Sequence, residues 1–263
     1  MREKEANNTL VDVGAHQGFF SQAFAQAQWH VVAFEPERLN LKALREKMQE
    51  FERVVIIPKA VSDSESSAQP FYVSEEHFGI HSLKPFHSTH EFAYEVETVR
   101  LDTTLASLDI NNVSLLKIDV EGADFLVLKS FDFNRYKPAL IMVEFMDDRS
   151  FANFGYTHHE VVRFMKDKGY CTFVSEWNPI KEYGREKEDS EPHVWVQCAP
   201  YPLNHEPAWG NLIFVPQENR NRFIKTLDHY LSSLEFAKKT LWLRQVIKKI
   251  PGAATVHRQM TYS

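Results

Sequence analysis

The sequence predicts an α/β fold with a doubly wound, mostly parallel sheet of seven strands and a C-terminal helical extension. Two patterns lead to this prediction. Short apolar runs alternate with amphipathic helical segments along most of the chain, as expected for consecutive βαβ units. The first apolar run also ends in a glycine-containing turn that leads straight into a helix, which is how many ligand-binding α/β sheets begin.

The predicted elements follow one another in a regular order. Apolar runs and alternation predict strands at residues 9–13, 30–34, 54–58, 70–74, 95–101, 113–120, 139–145, 170–177, 193–198 and 212–215. Apolar residues at helical spacing predict a helix that begins at Phe19 and further helices at residues 38–51, 102–108, 123–131 and 158–168. Asp102 is expected to cap the third of these helices. Residues 75–94 have no clean period and are predicted to form a long loop.

Residues 217–263 differ in charge from the rest of the chain. They hold nine Lys or Arg and three Asp or Glu, whereas the whole chain of 263 residues has a formal net charge of −6. We therefore predict two domains, residues 1–216 as the α/β domain and residues 217–263 as a basic helical extension. The helical pattern at residues 223–250 predicts packing on the α/β domain or on a second copy of the chain in a homo-oligomer. Contact with an anionic membrane surface is the less favoured alternative.

Composition and charge argue against several classes of protein. The net negative charge disfavours a general nucleic-acid binder, so we expect no nucleic-acid partner. Two cysteines are too few for a disulfide framework or a cysteine-rich zinc site. The chain has no run of about 18 apolar residues that would span a membrane. Nothing at the N-terminus resembles a signal peptide, and we expect a cytoplasmic protein.

The glycine loop between Gly14 and Gly18 indicates the type of ligand. It is not a P-loop, and it lacks the middle glycine with which dinucleotide-binding loops approach a pyrophosphate. Glu35 ends the second strand about 20 residues after the loop, where an acid typically accepts hydrogen bonds from ribose hydroxyls. A ribose without a pyrophosphate suggests S-adenosylmethionine. Two alternatives to an S-adenosylmethionine site remain. One is a plain βαβ unit with a surface glutamate, and the other is an NAD(P)-dependent oxidoreductase.

Two more acids, Asp119 and Glu121, flank Val120 at the end of the strand predicted at residues 113–120. Alternate residues of a strand share a face, so both carboxylates are expected to face the ligand crevice. Acidic side chains are rarely buried in proteins, and those that are buried often belong to functional sites. We therefore predict a functional role for Asp119 and Glu121. Glu144 ends the next strand and could join them. Three such acids could bind a divalent metal such as Mg²⁺, which is less favoured than a site without metal.

Five ordered motifs resemble the FkbM family of methyltransferases. They are Val-Asp-Val-Gly-Ala-x-x-Gly-Phe-Phe at residues 11–20, Phe-Glu-Pro at 34–36, Ala-Val-Ser-Asp at 60–63, Val-Arg-Leu-Asp-Thr-Thr-Leu at 99–105 and Leu-Lys-Ile-Asp-Val-Glu-Gly-Ala-Asp at 116–124. The resemblance covers roughly residues 9–148. It implies a class I, Rossmann-like, S-adenosylmethionine-dependent methyltransferase, of a family associated mostly with O-methylation and often with sugar hydroxyls. The helix that usually precedes the first strand has no counterpart in residues 1–8.

The resemblance also implies a cofactor site. The residues expected to bind S-adenosylmethionine lie in the glycine loop and at strand ends: Asp12, Gly14, Ala15, Gly18, Glu35, Asp63 and Asp119. Asp12 and Gly14 would place the methionine end, and Glu35 would accept hydrogen bonds from both ribose hydroxyls. Asp63 would contact the adenine amine, unless it serves only as a turn cap.

The catalytic residues are predicted to be Asp119, Glu121 and His81. Methyl transfer to a hydroxyl requires alignment and removal of a proton, and histidine is a natural base near neutral pH. His81 is favoured because residues 78–82 come closest to a family-like pattern within the long loop. The alternative candidates for the base are His16, His77, His87, His90 and His193.

The predicted function is therefore S-adenosylmethionine-dependent O-methylation. The acceptor is expected to be a small molecule or glycan, with the methyl group placed on a hydroxyl of a sugar, glycan or natural product. The alternative is a non-catalytic module of the same fold that binds S-adenosylmethionine without turnover.

Overall fold

The computed structural model of the chain describes residues 8–76, 79–178, 194–207 and 209–233. The chain divides into two compact units, Met1–Gln217 and Glu218–Ser263. In the second unit, residues 220–233 are helical, in agreement with the start of the predicted extension. The remainder of the helix predicted at residues 223–250 lies outside the described residues, and the packing and membrane hypotheses for the extension stay predictions.

The first unit alternates strands and helices along most of its length. Its strands are β1 Thr9–Val13, β2 His30–Phe34, β3 Val54–Ile57, β4 Ala60–Val61, β5 Ser66–Ser74, β6 His90–Val99, β7 Leu115–Ile118, β8 Leu140–Phe145, β9 Tyr170–Trp177, β10 Trp195–Pro200 and β11 Trp209–Pro216. Its helices are α1 Phe19–Gln26, α2 Arg38–Met48, α3 Leu101–Ser107, α4 Asp124–Lys129, α5 Asp147–Phe154 and α6 His158–Asp167. A short 3₁₀ turn, Gln217–Asn219, follows β11.

Within the described part of the chain, eight strands form the main sheet in the order β10-β9-β11-β8-β7-β1-β2-β3. Strands β3, β2, β1, β7 and β8 pair in parallel, and β11 runs antiparallel between β8 and β9. The predicted doubly wound, mostly parallel architecture is confirmed. The predicted count of seven strands is wrong, because β10 pairs antiparallel with β9 and adds an edge strand.

A second, smaller sheet of strands β4, β6 and β5 is present in the described residues. Strand β4 follows β3 directly in the chain but pairs in parallel with β6, so it leaves the main sheet. Ala60, Phe71 and Val96 form a separate small core between these strands. The long loop predicted at residues 75–94 is wrong over residues 90–94, which belong to β6. This start of β6 is mostly exposed and carries no apolar alternation that would reveal it.

Two helices differ from the sequence prediction. Helix α3 begins at Leu101 with Arg100 at its N-cap, so the predicted cap at Asp102 is wrong. Asp102 lies in the first turn, where its carboxylate accepts hydrogen bonds from the Arg100 guanidinium and favours the positive end of the helix dipole. Helix α5 was not predicted at all, and it ends at Gly155 in the left-handed conformation, with φ 72°.

The parallel strands are buried on both faces by apolar side chains. Val11, Val32, Leu116 and Ile141 have no exposed surface, as expected for a sheet with covered faces. The carboxyl ends of β1, β2, β7 and β8 meet at one edge of the sheet, which is where α/β sheets of this type bind ligands. None of the helices in the described ranges is long and apolar enough to cross a membrane.

Candidate active site

A cavity of about 440 Å³ opens at the carboxyl ends of the parallel strands. This volume falls in the range of small-molecule sites. Its wall includes the glycine loop from Val13 to His16, Glu35, residues 119–121 and residues 79–83. The last of these segments connects β5 to β6, so the small sheet contributes one side of the cavity.

The two glycines of the loop are needed for packing of the protein on itself. Gly14 has a φ of +78°, and a Cβ at this position would lie 1.8 Å from the backbone oxygen of Asp119. Gly18 has a φ of +80°, and a Cβ there would lie 2.5 Å from Leu44 of α2. Of the loop residues predicted to bind the cofactor, Gly14 and Ala15 line the cavity and Gly18 does not. Gly14 therefore lets the loop approach the end of β7.

Lys117 links the glycine loop to the end of β7. Its β7 position lies opposite Asp12 of β1, and its Nζ is 3.3 Å from Asp12 Oδ1 and 3.5 Å from Asp119 Oδ2. The same ammonium donates a hydrogen bond of 2.6 Å to the carbonyl of Gly14. Burial alone would lower the pKa of Lys117, but the two carboxylates outweigh burial and raise it. The residue therefore stays charged and clamps three segments together.

Asp12 lies beneath the cavity wall. It has no exposed surface, it accepts a hydrogen bond of 2.6 Å from Ser21, and it is not among the residues that line the cavity. Its carboxylate balances the charge of Lys117. Asp119, in contrast, lines the cavity and has a side chain that is 39% exposed. Of these two predicted cofactor residues, the structure brings only Asp119 to the cavity.

Glu35 lies on the cavity wall, as predicted. Its Oε2 accepts a hydrogen bond of 2.7 Å from the amide of His16, and its Oε1 accepts one of 2.8 Å from the amide of Glu37. Burial raises the pKa of Glu35 to about 7, although the two amides oppose this shift. Each carboxyl oxygen keeps a second lone pair, so the group can accept two further hydrogen bonds from a ligand.

We expect the buried acids to make stability fall as the pH rises. In the folded protein burial raises the pKa of Glu35 to about 7 and that of Asp124 to about 6, so the folded state retains protons that the unfolded chain has lost. Raising the pH through this window therefore destabilises the fold. Glu35→Gln cannot titrate. Between about pH 5 and pH 8 the free energy of unfolding of the wild type should fall more than that of this variant.

Urea denaturation of the ligand-free proteins measures this difference. Glu46→Gln is a matched control, because it removes a carboxyl group whose side chain is 67% exposed. An equal pH dependence in wild type and Glu35→Gln would contradict the raised pKa of Glu35.

Asp119, Glu121 and Glu144 converge beside the cavity, with one carboxylate oxygen of each within 4.8 Å of the others. We refer to these three residues as the acidic cluster. The strand alternation from which Asp119 and Glu121 were predicted to share a face is wrong, because β7 ends at Ile118. Glu121 instead reaches the cluster from a left-handed turn with φ 61°. Asp119 and Glu121 line the cavity, and Glu144, the last but one residue of β8, lies next to them.

Arg149 of α5 supplies a positive charge to the acidic cluster. Its guanidinium donates to the carboxylate of Glu121 and, over 3.2 Å, to Glu144 Oε2. Its side chain is only 3% exposed. Burial and the neighbouring acids raise the pKa of Glu121 well above its usual range, and burial raises that of Glu144 to about 8. The cluster is thus partly neutralised by Arg149, and the predicted metal alternative stays a hypothesis.

His81 lines the cavity, but its hydrogen bond opposes the predicted role as base. The amide of Ser74 donates to His81 Nδ1 over 3.3 Å, so that this nitrogen must carry the lone pair. Burial lowers the pKa of His81, which keeps the ring neutral with its proton on Nε2. The group that can reach a ligand is therefore a hydrogen-bond donor. His81 is suited to orient an acceptor and not to deprotonate it.

The other candidate histidines have separate places. His16 lines the cavity. His90 holds the segment between β5 and β6, since its Nδ1 accepts from the amide of Phe86 over 3.1 Å and its Nε2 donates to the carbonyl of Ile80 over 2.5 Å. His87 lies in the same segment. His77 and His193 lie outside the described residues.

Asp63 does not line the cavity. Its Oδ2 lies 3.3 Å from the Nζ of Lys129, and the alternative role as a turn cap stays a hypothesis. Ala60 and Val61, from the same motif, do line the cavity. The wall also contains residues that the sequence analysis did not single out: Lys59, Lys117, Met142 and Asn211.

Solved structures with a similar chain path are distant. A precorrin-6y C5,15-methyltransferase from Geobacter metallireducens GS-15 is 11% identical, with a TM-score of 0.39 over 79% of this chain and 80% of that chain. A magnesium protoporphyrin IX methyltransferase from Synechocystis PCC 6803 with bound SAM is 11% identical, with a TM-score of 0.39 over 79% and 69% of the two chains. These scores carry no conclusion about function. No curated protein sequence matches the chain.

The family comparison covers most of the residues that line the cavity, Asn211 excepted. The family described as the methyltransferase FkbM domain matches residues 12–171, which is more than half of the chain. This span contains the glycine loop, Glu35, the acidic cluster and Arg149. The resemblance seen in the sequence motifs is confirmed. The chain therefore belongs to the FkbM methyltransferase domain family.

Proposed function

We propose that the chain uses S-adenosylmethionine to methylate a hydroxyl of a sugar, glycan or natural product. The observation that carries the proposal is the composition of the cavity wall. The wall contains Glu35, whose carboxylate accepts hydrogen bonds from two backbone amides, and it lies beside the acidic cluster. Membership of a methyltransferase family supports the reaction class. The choice of a hydroxyl as the methyl acceptor is supported by the carboxylates of the acidic cluster, which can accept the proton of a hydroxyl.

The cavity residues fit S-adenosylmethionine in charge and shape. Glu35 has lone pairs left for two ribose hydroxyls. The half-exposed carboxylate of Asp119 would attract the ammonium of the methionine end. Val61 and Phe71 provide apolar surface on the same wall, which suits a planar base.

The residues of the chain can carry out the remaining chemistry. When bound, S-adenosylmethionine would supply a methyl group on a cationic sulfur. Glu121 lies on the cavity wall, and burial together with Glu144 raises its pKa, which makes its carboxylate a stronger base towards the proton of a hydroxyl. Arg149 holds this carboxylate in place, and His81 can donate a hydrogen bond from Nε2 to orient the acceptor.

We expect Glu35→Gln to weaken S-adenosylmethionine binding by roughly 30-fold. Replacing the charged acceptor with an amide removes charge-assisted hydrogen bonds to ribose, a loss of about 2 kcal/mol. Isothermal titration calorimetry with S-adenosylmethionine and S-adenosylhomocysteine measures the change. Glu37→Gln is the matched control, because its carboxylate accepts from the amide of Asn40 and does not line the cavity. Unchanged affinity in folded Glu35→Gln would show that Glu35 does not hold the cofactor.

A labelled-methyl assay tests the reaction itself. The protein is incubated with S-adenosylmethionine that carries an isotopically labelled methyl group and with a panel of sugars, glycans and hydroxylated small molecules. Labelled methyl ether in a product supports the proposal. Binding of the cofactor without label in any product would favour the non-catalytic module, whereas labelled amine products would overturn the choice of a hydroxyl.

A further inference from the structure

We propose that His158, His159 and Glu206 form a binding site for a zinc-like divalent metal ion, separate from the cofactor cavity. His158 and His159 are the first two residues of α6, and Glu206 lies in the segment between β10 and β11. None of the three lines the cavity of about 440 Å³. Their nitrogen and oxygen atoms all lie within 4.8 Å of one another.

The distances between these atoms match the edges of a metal coordination sphere. Glu206 Oε2 lies 3.7 Å from His158 Nε2 and 3.5 Å from His159 Nε2. Ligands about 2.0–2.1 Å from a tetrahedral ion are separated by about 3.4 Å, so a metal between these atoms needs only a small adjustment. The two imidazole rings are tilted by 37° with centroids 4.0 Å apart, and both Nε2 atoms lie near the same carboxylate oxygen of Glu206.

His158 is oriented as a metal-ligating histidine usually is. Its Nδ1 lies 2.6 Å from Asp147 Oδ2, and its own amide donates to Asp147 Oδ1 over 2.7 Å. The carboxylate fixes the proton on Nδ1 and leaves the lone pair on Nε2, as in carboxylate–histidine–metal arrangements. His158 is 1% exposed, and its Nε2 has no hydrogen-bond partner among the described residues. A buried acceptor without a partner is costly unless it has a ligand.

The second histidine has a similar support. His159 Nδ1 lies 2.8 Å from the hydroxyl of Tyr201, which can accept the Nδ1 proton and leave Nε2 for a metal. His159 and Glu206 are exposed enough, at 46% and 74% of their side chains, for an ion to enter and for water to complete the sphere. Two imidazoles and one carboxylate with an open fourth position favour Zn²⁺ over Mg²⁺ or Ca²⁺, which prefer oxygen ligands.

The site would also stabilise the active-site region. Asp147, which supports His158, is the first residue of α5, and the same helix carries Arg149 of the acidic cluster. A metal at His158 would therefore hold the start of the helix that positions Arg149.

Metal titration of the full chain tests the proposal. Metal-stripped protein is titrated with ZnCl₂ by calorimetry and with Co²⁺ by visible absorption. We expect one equivalent of Zn²⁺ to bind at micromolar concentration or below and Co²⁺ to give the intense spectrum of a four-coordinate site. His159→Gln and Glu206→Gln, at partly exposed positions that should tolerate substitution, should each abolish this binding. Asp147→Asn should weaken it by about 10–100-fold.

Matched variants separate the proposed site from other metal binding. His229→Gln changes an exposed histidine outside the site and should bind Zn²⁺ like the wild type. Wild-type protein that binds no Zn²⁺, or wild-type binding in both His159→Gln and Glu206→Gln, would overturn the proposal. Loss of binding in Glu121→Gln alone, with a weak six-coordinate Co²⁺ spectrum, would place the ion in the acidic cluster and overturn it as well.

Discussion

Glu121→Gln is expected to lower kcat for methyl transfer by about 10²–10⁴-fold, the usual effect of removing a general base. Glu121 lies on the cavity wall, and burial together with Glu144 raises its pKa towards the range in which a carboxylate can accept a proton. The amide of glutamine has the same shape but cannot take the proton. Steady-state kinetics with a hydroxyl acceptor from the labelled-methyl assay measures the loss.

Two controls show whether the decrease in kcat arises from the methyl-transfer step. The affinity of Glu121→Gln for S-adenosylmethionine should stay within a few-fold of the wild type, because Glu35 and Asp119, the acids proposed to bind the cofactor, still line the cavity. Asp63→Asn removes a carboxylate that pairs with Lys129 outside the cavity and should keep most of the turnover. If Glu121→Gln retained wild-type kcat, the proton would have to leave through another group, such as Asp119, whose carboxylate belongs to the acidic cluster and also lines the cavity.

Arg149→Met is expected to lower the free energy of unfolding by about 3–5 kcal/mol at neutral pH, as when one partner of a buried ion pair is removed. The guanidinium donates to Glu121 and Glu144 and is almost fully buried. Without it, the ionised carboxylate of the acidic cluster is left without a positive partner in a poorly solvated place. Urea denaturation followed by circular dichroism measures the change.

The pH dependence of this variant gives the sharper test. At about pH 5 Glu144 is protonated, because burial raises its pKa to about 8, so less negative charge is left unpaired and the deficit of Arg149→Met should shrink. Arg163→Met removes an exposed arginine of α6 and should change stability by no more than about 0.5 kcal/mol at either pH. A deficit in Arg149→Met that does not depend on pH would show that the side chain stabilises by packing, for instance on the ring of Phe86 4.4 Å away.

The elements that the sequence predicts well are those with a strong local signal. β1 and β9 have the predicted bounds, because continuous apolar runs flanked by turns or helices leave little choice of period. Helix α5 has no such signal. Its eight residues include two Asp, one Arg and two Asn or Ser residues, and its start is stabilised by tertiary contacts such as that of Asp147 with His158. Arg149 was missed together with its helix.

Lys117 was missed for a different reason. The residue was visible within the Leu-Lys-Ile-Asp motif, but its role depends on strand pairing, which places it opposite Asp12. The sequence does contain a signal for this pair. Lys117 and Asp12 carry opposite charges in two strands that read as buried, and buried charges are normally paired. The register between β1 and β7 could not be read from either segment alone.

The acids at the cavity show a correct expectation reached for a wrong reason. Asp119 and Glu121 do meet, yet a left-handed residue after the strand brings them together, and sequence patterns do not report such a turn. The role of base that was predicted for His81 is likewise opposed by a structural detail that the sequence does not show. Its residue type suits proton transfer, but the amide of Ser74 determines which ring nitrogen carries the proton.

The contacts of Lys117 also have a consequence for ligand binding. One ammonium joins the carbonyl of Gly14, the carboxylate of Asp12 and the carboxylate of Asp119, so that the loop and the strand end are held together before any ligand arrives. The conformational entropy of ordering these segments is lost during folding and not during binding. Such a preorganised wall discriminates among ligands by fit, and it allows affinity to be high without a large rearrangement of the protein.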